Sequence, residues 1–402
     1  MSAMVKIDTL FRNLRLPDGT PSAIGVADGR IAAIGPGAGT DASAHAIDLD
    51  GALVLPGFVE GHVHLDTSFH GDTWRPYVPY AAGFNVRERV AIQHRNMAAA
   101  APMAQRARNQ LALCIANGAT AMRSHVMVDA GVGLTSLQTV AAVRESCRDL
   151  IDVQLVAFPQ SGILTCPGTA ELLDAAFAHG ANVIGGLDPA SVDRDVRAHL
   201  DVVFGIAGKR GVPVDIHLHE PDTMGLFSIE EIAARTRALG MQGQVVISHA
   251  YALGDVPCDV ARRTADLLAE AGVAIMTTAP GARAFPPVSM LRDAGVTVFG
   301  GNDNIRDSWS PYGDGDLLRR AMLIGYRSDL RTDADLAFAF DMVTSAGAKA
   351  LGIEPYGLTV GAPADFVVLQ AAHVAEAVVA VPKPRSVYKS GRCIARDGAL
   401  LH

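Results

Sequence analysis

The sequence predicts an α/β protein: a (β/α)8 barrel of the TIM type with a small β-sandwich domain that both termini form together. Between residues 58 and 354, short apolar runs alternate eight times with Ala- and Leu-rich stretches of helical spacing. The two ends of the chain instead hold short strand-like runs separated by turn residues. With 402 residues, 49% of them apolar, the chain can bury one large core beside an accessory domain. We therefore predict residues 1–57 and 355–402 as the two parts of the sandwich.

The predicted barrel strands are apolar runs, and helical stretches such as residues 229–239 and 261–271 lie between them. Parallel strands joined by helices close into a barrel that carries its reactive groups at the carboxyl ends of the strands. A doubly wound open sheet is the alternative, but no Gly-x-Gly-x-x-Gly motif opens a helix after the first run. The eight runs are residues 58–65, 119–128, 152–160, 182–187, 212–219, 244–250, 273–278 and 296–302.

The terminal regions resemble each other in their patterning. Asp28-Gly29 separates two short apolar runs, which is a strong signal for a hairpin. Near the other end, residues 365–369, 386–389 and 392–395 also have the composition of short strands. Two β-rich ends around a different middle predict one sheet domain completed by both termini.

Charge and composition argue against several classes of partner. The formal net charge is −8, and acidic and basic residues are interspersed, so no basic stripe is available for nucleic acid or an anionic membrane. Residues 1–8 lack the charged and apolar regions of a leader, and no apolar run is long enough to span a bilayer. The five cysteines are scattered and form no Cys-x-x-Cys pair. We expect a cytoplasmic protein with no nucleic-acid or membrane partner and no disulfide framework.

Two histidines, His62 and His64, lie at the end of the first predicted strand. In an extended strand, residues i and i+2 share a face, so both imidazoles can point at one ion. Such a pair also occurs by chance as two hydrogen-bonded or exposed side chains. The metal interpretation therefore needs further ligands from other parts of the chain.

Polar residues also end three distant strands of the predicted barrel. His217 ends the fifth, His249 ends the sixth, and Asp303 follows the eighth. A barrel displays its catalytic groups at these positions. Any one of these side chains could be a buried, hydrogen-bonded core residue, but four such strand ends in order are hard to explain by packing. Together they predict a metal site.

These motifs resemble the amidohydrolase superfamily, in particular its cytosine deaminase branch and the related N-isopropylammelide isopropylaminohydrolases. The resemblance covers nearly the whole chain. The motifs that carry it are Pro-Gly-Phe-Val-Glu-Gly-His-Val-His-Leu-Asp (56–66), Phe-Pro-Gln-Ser-Gly-Ile-Leu (158–164), His-Leu-His-Glu (217–220), Ser-His-Ala (248–250) and Asp-Asn-Ile-Arg-Asp-Ser-Trp (303–309).

The resemblance implies one divalent metal ion, Zn²⁺ or Fe²⁺, that lowers the pKa of a water toward about 7. Asp303 would also take the proton of this water, and His249 would stabilise the water or the tetrahedral intermediate. Glu220 would carry a proton to the leaving nitrogen, because expulsion of an amine needs an acid as well as a base. The implied metal ligands are His62, His64, His217 and Asp303.

The third and fourth predicted strands bear on the number of metal ions. Two-metal members of the superfamily use a carboxylated lysine from one of these strands, whereas residues 152–160 and 182–187 contain no lysine. A single metal is therefore expected. This favours ring deamination over hydrolysis of the hydantoin or dihydroorotate type.

Five residues are expected at the substrate. Gln160 can donate and accept at once, which suits the carbonyl and N–H edge of a heterocycle, although it could instead cap its loop. Trp309 could stack on a flat ring or line the core. Asp188 could receive a ring N–H or act as an N-cap before Pro189. The other two, His219 and Asn304, replace acids of the cytosine deaminases and follow the isopropylammelide enzymes.

One further acid near the first ligand pair has two possible roles. Asp66 follows the His-x-His pair by two residues. It could support a histidine ligand, or it could hold the loop that begins there. The sequence leaves both alternatives open.

The main hypothesis is an amidohydrolase acting on C–N bonds other than peptide bonds in cyclic amidines. It would deaminate a small cytosine-like or isocytosine-like heterocycle, with a single metal activating water and ammonia as the product. The alternative is release of an alkylamine from an N-alkylamino-triazine such as N-isopropylammelide, which a larger apolar pocket beside the metal would favour. A non-catalytic relative would have eroded ligands, yet every expected ligand is present. We expect a homo-oligomer whose partner is the small-molecule substrate.

Overall fold

The computed structural model describes residues 6–38, 45–83, 85–281 and 283–401. Residues 1–5, from which the absence of a leader was partly predicted, lie outside this description. The strands of the described chain are β1 (Thr9–Arg15), β2 (Pro21–Ala27), β3 (Arg30–Ile34), β4 (His45–Pro56), β5 (Phe58–Val63), β6 (Ala119–Met127), β7 (Asp152–Phe158), β8 (Val183–Leu187), β9 (Val214–His217), β10 (Val245–Ser248), β11 (Val273–Thr277), β12 (Val298–Gly300), β13 (Phe366–Leu369), β14 (Arg385–Lys389), β15 (Arg392–Arg396) and β16 (Ala399–Leu400).

The helices connect the barrel strands and cover their outer side. Two short segments differ from α-helices: a 3-10 helix at Ala176–His179 and a π-helix at Pro189–Asp193. None of the described helices has the length and apolarity needed to cross a membrane. The α-helices are α1 (Val86–Ala98), α2 (Met103–Ala116), α3 (Thr135–Ser146), α4 (Thr169–Ala175), α5 (Val196–Arg210), α6 (Asp222–Ala238), α7 (Ala252–Asp255), α8 (Cys258–Ala271), α9 (Val288–Asp293), α10 (Leu317–Arg327), α11 (Asp333–Asp341), α12 (Ser345–Leu351) and α13 (Val374–Ala380).

Strands β5 to β12 form a parallel sheet in chain order, and each is followed by a helical connection. The residues of β6 are all buried, as expected for a parallel strand covered on both faces. The first and eighth strands meet beyond their ends, where the N–H of Asp303 donates to the carbonyl of His62 at 2.7 Å and Val63 forms a bridge with Asp303. The predicted (β/α)8 barrel is confirmed, and the open-sheet alternative is wrong.

All eight predicted barrel strands are present, but several predicted ends extend one or two residues too far. The difference is largest around β9 and β12, where the predicted runs were 212–219 and 296–302. His64 and His219 follow the last paired residues of β5 and β9, because the chain leaves the ladder there and turns over the barrel mouth.

The two termini share one mixed sheet, in the order β16-β15-β14-β13-β4-β1-β2-β3. The long strand β4 joins the halves, since it pairs in parallel with β1 and antiparallel with β13. The predicted hairpin between β2 and β3 is also present. Its turn residues Asp28 and Gly29 have φ of 50° and 72°, as a two-residue turn of type I′ requires.

This sheet folds over its own core. In a flat sheet, β1 and β14 would lie about 14 Å apart, because they are three strand spacings of about 4.8 Å from each other. The rings of Phe11 on β1 and Tyr388 on β14 are nevertheless only 5.1 Å apart, and Phe366 contacts both. The sheet therefore bends so that its two halves face each other, as in the predicted sandwich. The domain boundaries at 57/58 and 354/355 stay a prediction.

Buried ion pairs join this terminal domain to the barrel. The guanidinium of Arg385 on β14 donates to both carboxylate oxygens of Asp316 at 2.7 and 3.0 Å, and both side chains are almost fully buried. Lys389 donates to Asp152 at 2.5 Å and to Asp365 at 2.6 Å. The Arg385–Asp316 pair thus ties β14 to the barrel through two buried charges, whereas Asp152 at the second contact is exposed to water.

Replacing Arg385 with Met should lower the free energy of unfolding by about 3 kcal/mol, because it leaves the carboxylate of Asp316 buried without its partner. Denaturant-induced unfolding followed by circular dichroism measures this change. The matched control is Arg12→Met, which breaks an exposed pair with Asp48 and should leave the transition unchanged. Equal effects of the two substitutions would contradict the assignment of a stabilising role to the buried pair.

Candidate active site at the carboxyl ends of the barrel strands

Side chains from four strand ends converge at the mouth of the barrel. His62, His217, His249 and Asp303 each offer one ligand atom, and these atoms lie within 4.8 Å of one another. His64 lies beside them, with its Nε2 3.2 Å from Asp303 Oδ1 and 3.4 Å from His217 Nε2. Imidazole nitrogens and carboxylate oxygens are donors that zinc and iron accept. All members of the predicted ligand set are therefore brought together.

Several of the converging atoms have no protein partner. His62 Nε2, His217 Nδ1 and both ring nitrogens of His249 are buried without a hydrogen bond in the described chain. Buried polar atoms normally have a hydrogen-bond partner, so several unpaired ring nitrogens close together need an explanation. A cation at the centre of the cluster would give the inward-facing nitrogens a partner. The residues present thus fit a divalent metal.

The charge states of three of these histidines suit metal binding. The exception is His64: burial alone would lower its pKa, but the carboxylate of Asp303 raises it. Burial lowers the pKa of His62, and it holds the pKa values of His217 and His249 well below their ordinary range. These imidazoles are therefore neutral and keep a lone pair. Burial alone would raise the pKa of Asp303, but the imidazoles of His62 and His64 beside its carboxylate hold this pKa well below its usual range. Asp303 is therefore an ionised ligand.

Several non-glycine residues of this region have backbones in the left-handed region, including Asp188, His249 and Asp303. The φ angles are 40° at Asp188, 77° at His249 and 59° at Asp303. Such conformations are costly, roughly 1–3 kcal/mol each, and they cluster at functional sites where the surroundings enforce them. Here they turn the side chains at the ends of β8, β10 and β12 toward the barrel mouth.

A hydrogen-bonded chain fixes the ring of His62. Its Nδ1 lies 3.0 Å from the hydroxyl oxygen of Ser248, and Ser248 donates to Asp215 at 2.7 Å. The other oxygen of Asp215 accepts from Arg123 at 3.0 Å. Because the serine hydroxyl gives its only proton to Asp215, it can only accept from His62. The Nδ1 atom of His62 therefore carries the proton, and Nε2 presents its lone pair to the cluster.

No role for Ser248, Asp215 or Arg123 was predicted from the sequence, although Ser248 opens the Ser-His-Ala motif. A signal was available for Asp215, which precedes His217 by two residues on β9 and therefore shares its face of the strand. Ser248 immediately precedes His249. A polar residue inside an otherwise apolar strand of a barrel points to a partner inside the barrel.

His125 is a further histidine of this region, and no role was predicted for it from the sequence. It lies on β6, fully buried, with its ring centroid 3.9 Å from that of His62. Its Nε2 is 3.7 Å from Asp215 Oδ2, and neither ring nitrogen has a hydrogen bond in the described chain. Burial holds its pKa well below the ordinary value, so the ring is neutral.

Asp188 and His219 form a pair next to the cluster. Asp188 accepts from the backbone N–H of His219 at 2.6 Å, and its other oxygen is 2.9 Å from the Nδ1 of the same residue. The ring of His219 stacks on that of His249 at a centroid distance of 4.5 Å. The Asp188 side chain makes no N-cap hydrogen bond, so the predicted cap role is not seen.

Glu220 faces away from the main cavity. One carboxylate oxygen accepts from the backbone N–H groups of Ala190 and Ser191 at 2.7 and 2.8 Å, and the other accepts from the hydroxyl of Ser228 at 2.6 Å. Burial, and then the charge of Asp188, raises the pKa of Glu220. Its carboxyl group borders a second cavity of about 710 Å³.

The main cavity has a volume of about 1020 Å³ and opens onto His64, His217 and Asp303. Asp188 lies behind His219 and borders the second cavity. Asp66 accepts from the N–H of Met127 at 2.9 Å, so it ties the loop after β5 to β6. Four of the five predicted substrate residues line the main cavity: Gln160, His219, Asn304 and Trp309.

Aromatic side chains and one unpredicted amide complete the wall of this cavity. Gln93 of α1 lies between Gln160 and Trp309 and contacts both. Asn304 donates to Asp307 at 2.7 Å, which holds the loop that carries Trp309. The aromatic residues of the wall are Trp74, Tyr77, Tyr80, Phe158, Tyr251, Trp309 and Tyr312.

Replacing Ser248 with Ala should weaken divalent-metal binding about 10-fold or more, because the His62 ring loses the group that fixes its protonated nitrogen. Competition with a chromogenic chelator measures the apparent affinity without recourse to activity. Ser228→Ala is the matched control, since Ser228 is another fully buried serine whose hydroxyl bonds Glu220 and not a ring of the cluster. An unchanged affinity in the Ser248 variant, or an equal loss in the control, would overturn the proposed role of this chain.

Comparison with known proteins places the chain among hydrolases. A family model described as "Amidohydrolase family" matches residues 45–395. The N-isopropylammelide isopropyl amidohydrolase of Pseudomonas sp. (strain ADP) is 33% identical over 363 residues, which cover 88% of this chain and 89% of that protein.

Solved structures extend this similarity over the whole fold. The N-isopropylammelide isopropylaminohydrolase of Burkholderia multivorans is 42% identical with a TM-score of 0.92, and the match covers 98% of this chain and 100% of that one. The 5-methylcytosine deaminase of Klebsiella pneumoniae, bound to phosphonocytosine, is 30% identical with a TM-score of 0.85 over 96% of this chain and 98% of its own. The predicted resemblance to both groups is confirmed. Its fold, its His and Asp metal cluster and these matches make the chain a member of the amidohydrolase family.

Proposed function

We propose that the protein is a metal-dependent deaminase that hydrolyses the exocyclic C–N bond of a small nitrogen heterocycle and releases ammonia. The observation that carries this proposal is the convergence of neutral histidines and an ionised aspartate at the floor of a 1020 Å³ cavity. An apolar aromatic wall with a few polar groups is typical of a pocket for a flat small molecule. Membership of the amidohydrolase family agrees with hydrolysis of a C–N bond.

The proposed cofactor is one divalent ion, Zn²⁺ or Fe²⁺, held by His62, His64, His217 and Asp303. When bound, the ion would lower the pKa of a water so that it can attack at neutral pH. A single ion is supported by β7 and β8, whose residues include no lysine that could bridge a second one. His249 is as close to the cluster as the proposed ligands are. We assign His249 to the substrate side because its ring stacks on His219, which lines the cavity.

The side chains divide the proton transfers among themselves. Asp303 is ionised and faces the cavity, so it can take the proton of the attacking water. His249 is neutral and can hydrogen-bond to the oxygen that adds to the ring carbon. The C–O bond forms first and makes the ring carbon tetrahedral. The C–N bond then breaks after the nitrogen receives a proton, and the nitrogen leaves as ammonia.

The geometry favours a different source for the proton that the leaving nitrogen receives. Glu220 was predicted to carry it, but three donors already occupy its carboxylate and it borders the second cavity. We propose that Asp303 returns the proton it took from water to the leaving nitrogen. Glu220 then serves to hold the start of the π-helix against α6.

Replacement of Asp303 by Asn should lower kcat by at least about 10³-fold, because the variant cannot take up a proton. Glu220→Gln is the comparison variant and should keep kcat within about 10-fold, since it acts on the shape of a loop. Ammonia release and metal content are measured on the same samples. Retained activity in the Asp303 variant would refute the mechanism. An equal loss in both variants would indicate that Glu220 protonates the leaving nitrogen.

A second candidate function is removal of an alkylamine from an N-alkylamino-triazine. The volume of the cavity favours it, since about 1020 Å³ is at the upper end for ligand pockets and exceeds what a bare pyrimidine needs. The 42% identity with the Burkholderia multivorans N-isopropylammelide isopropylaminohydrolase supports the same candidate. The aromatic wall formed by Tyr77, Tyr80 and Trp309 would offer an alkyl group an apolar surface.

A substrate panel separates the two candidates. We expect ammonia from cytosine or isocytosine, with a kcat/KM higher than that for isopropylamine release from N-isopropylammelide. A higher kcat/KM for N-isopropylammelide would replace the first candidate by the second. If the metal-loaded protein released neither amine, both would fail.

The compartment, the oligomeric state and the partners of the protein are also proposals. We propose a cytoplasmic homo-oligomer without a nucleic-acid partner. The net charge of −8 supports the last point. Exposed apolar residues near the carboxyl face of the barrel, including Tyr312 and Tyr326, offer a surface on which subunits could meet.

A further inference from the structure

The buried amide of Gln93 connects the two side chains predicted to hold the substrate. Gln93 lies on α1 and has no solvent exposure. Its Oε1 is 2.6 Å from the indole Nε1 of Trp309, and its Nε2 is 3.0 Å from Gln160 Oε1. A second contact, of 3.3 Å, joins Gln160 Nε2 to Gln93 Oε1. The two glutamine amides therefore face each other with paired donors and acceptors.

The helix that carries Gln93 is held rigidly against the Trp309 loop. Arg89 precedes Gln93 by one turn, is fully buried, and donates to the carbonyl of Ser308 at 2.7 Å. Asn96 follows Gln93 by about one turn and donates to the hydroxyl of Ser308 at 3.0 Å. Residues at this spacing share one face of a helix. Gln93 therefore lies at the cavity wall between two residues of α1 that both bond Ser308.

The indole determines which way both amides point. An indole N–H can only donate, so the Gln93 atom that it contacts must be the oxygen. The nitrogen of Gln93 is then turned toward Gln160 and must find an acceptor there, which is Gln160 Oε1. The orientation of the Gln160 amide thus follows from Trp309 through Gln93.

This arrangement leaves the amide of Gln160 with one donor and one acceptor for a ligand. One hydrogen of its Nε2 is directed at Gln93 and the other has no acceptor among the described residues, while its Oε1 keeps one unused lone pair. A free donor beside a free acceptor matches a ring carbonyl next to a ring N–H, the edge of a lactam. A ring edge that offers only acceptor nitrogens would give the second lone pair of the Gln160 oxygen no donor and would place another acceptor against it, which is unfavourable in a buried site.

We propose that Gln93 is a positioning residue for substrate choice: by fixing Gln160 and Trp309, it selects amino-heterocycles that carry a lactam edge. This inference rests on the proposed function, and it names the class of ring that the site accepts. Such selection is strong because a site built to hydrogen-bond a group discriminates against analogues that lack it.

The test compares Gln93→Met, Gln93→Glu and the matched control Gln110→Met. Gln110 is also a fully buried glutamine, it lies on the adjacent helix α2, and neither of its amide atoms has a hydrogen bond in the described chain. Methionine keeps the length of the side chain but removes both the donor and the acceptor. Glutamate keeps an acceptor for Trp309 and removes the donor to Gln160. Trp309→Phe is a further variant, which removes the indole donor without changing Gln93.

Kinetics are measured with whichever of cytosine, isocytosine and N-isopropylammelide the wild-type protein turns over best. We expect KM to rise about 10-fold in both Gln93 variants and in Trp309→Phe, with kcat within about threefold, because the reacting atoms are untouched. Calorimetric binding of cyanuric acid, whose edges are all lactams, should weaken in parallel without any turnover. Gln110→Met should match the wild type in both measurements. Unchanged KM and unchanged cyanuric acid binding in the Gln93 variants would overturn the proposal.

Fluorescence gives a readout that does not depend on activity. The chain has two tryptophans, so Trp74→Phe leaves only Trp309. In this background Gln93→Met should move the Trp309 emission to shorter wavelength, because the excited indole loses its acceptor, whereas Gln93→Glu should not. Identical spectra for all three proteins would contradict the hydrogen bond on which the inference rests. If the wild type bound cyanuric acid with the expected variant effects but released no amine, the proposed function would fail while this inference stood.

Discussion

The close approach of the first and eighth barrel strands is the constraint on which the site depends. A side chain at Gly301 would place its Cβ 2.6 Å from the backbone nitrogen of His62, and one at Gly61 would lie 2.6 Å from the carbonyl oxygen of Gly300. Only glycine fits at such distances. This approach lets the N–H of Asp303 bond the carbonyl of His62 at 2.7 Å, so one hydrogen bond both closes the barrel and sets an acid beside two histidines.

Buried polar contacts reinforce this junction. The carboxyl group of Glu60 accepts from the backbone N–H of Asn302 at 2.8 Å and from its side-chain amide at 2.5 Å. Burial raises the pKa of Glu60 to about 7. Strand β5 therefore holds the residue that precedes Asp303 as well as Asp303 itself. Together with the serine and aspartate that fix the His62 ring, these contacts place the ligand atoms before any metal arrives, which reduces the cost of binding one.

Much of this arrangement could be predicted from the sequence. The barrel strands are apolar runs that end in polar residues. That His62, His217, His249 and Asp303 lie close together follows from the rule that the strands of such a barrel carry function at their carboxyl ends. The rule gives the place of a residue in the fold, whereas the direction of its side chain depends on local backbone. Glu220 shows the difference, because the chain after His219 turns its carboxylate toward the backbone of residues 190–191.

Other residues at the site could not be found in this way, because they reach it only through partners far away in the sequence. Gln93 lies on a helix with no metal or substrate motif, and only the packing of α1 against the Trp309 loop brings it to the cavity. His125 lies in the middle of an apolar run, where a single histidine has no obvious meaning without the neighbouring strands. Pairwise contacts across a barrel are set by strand register, which the pattern of a strand that is apolar on both faces specifies only weakly.

We propose that a single metal ion, held where the first and eighth strands of the barrel meet, is required for hydrolysis of the exocyclic C–N bond. The most direct test is titration of metal-free protein with Zn²⁺ or, under anaerobic conditions, Fe²⁺, while the release of amine is measured. Our account predicts no turnover without metal, a linear rise with added ion and a plateau at one equivalent per chain. Turnover in the metal-free protein, or a plateau only at two equivalents, would contradict it.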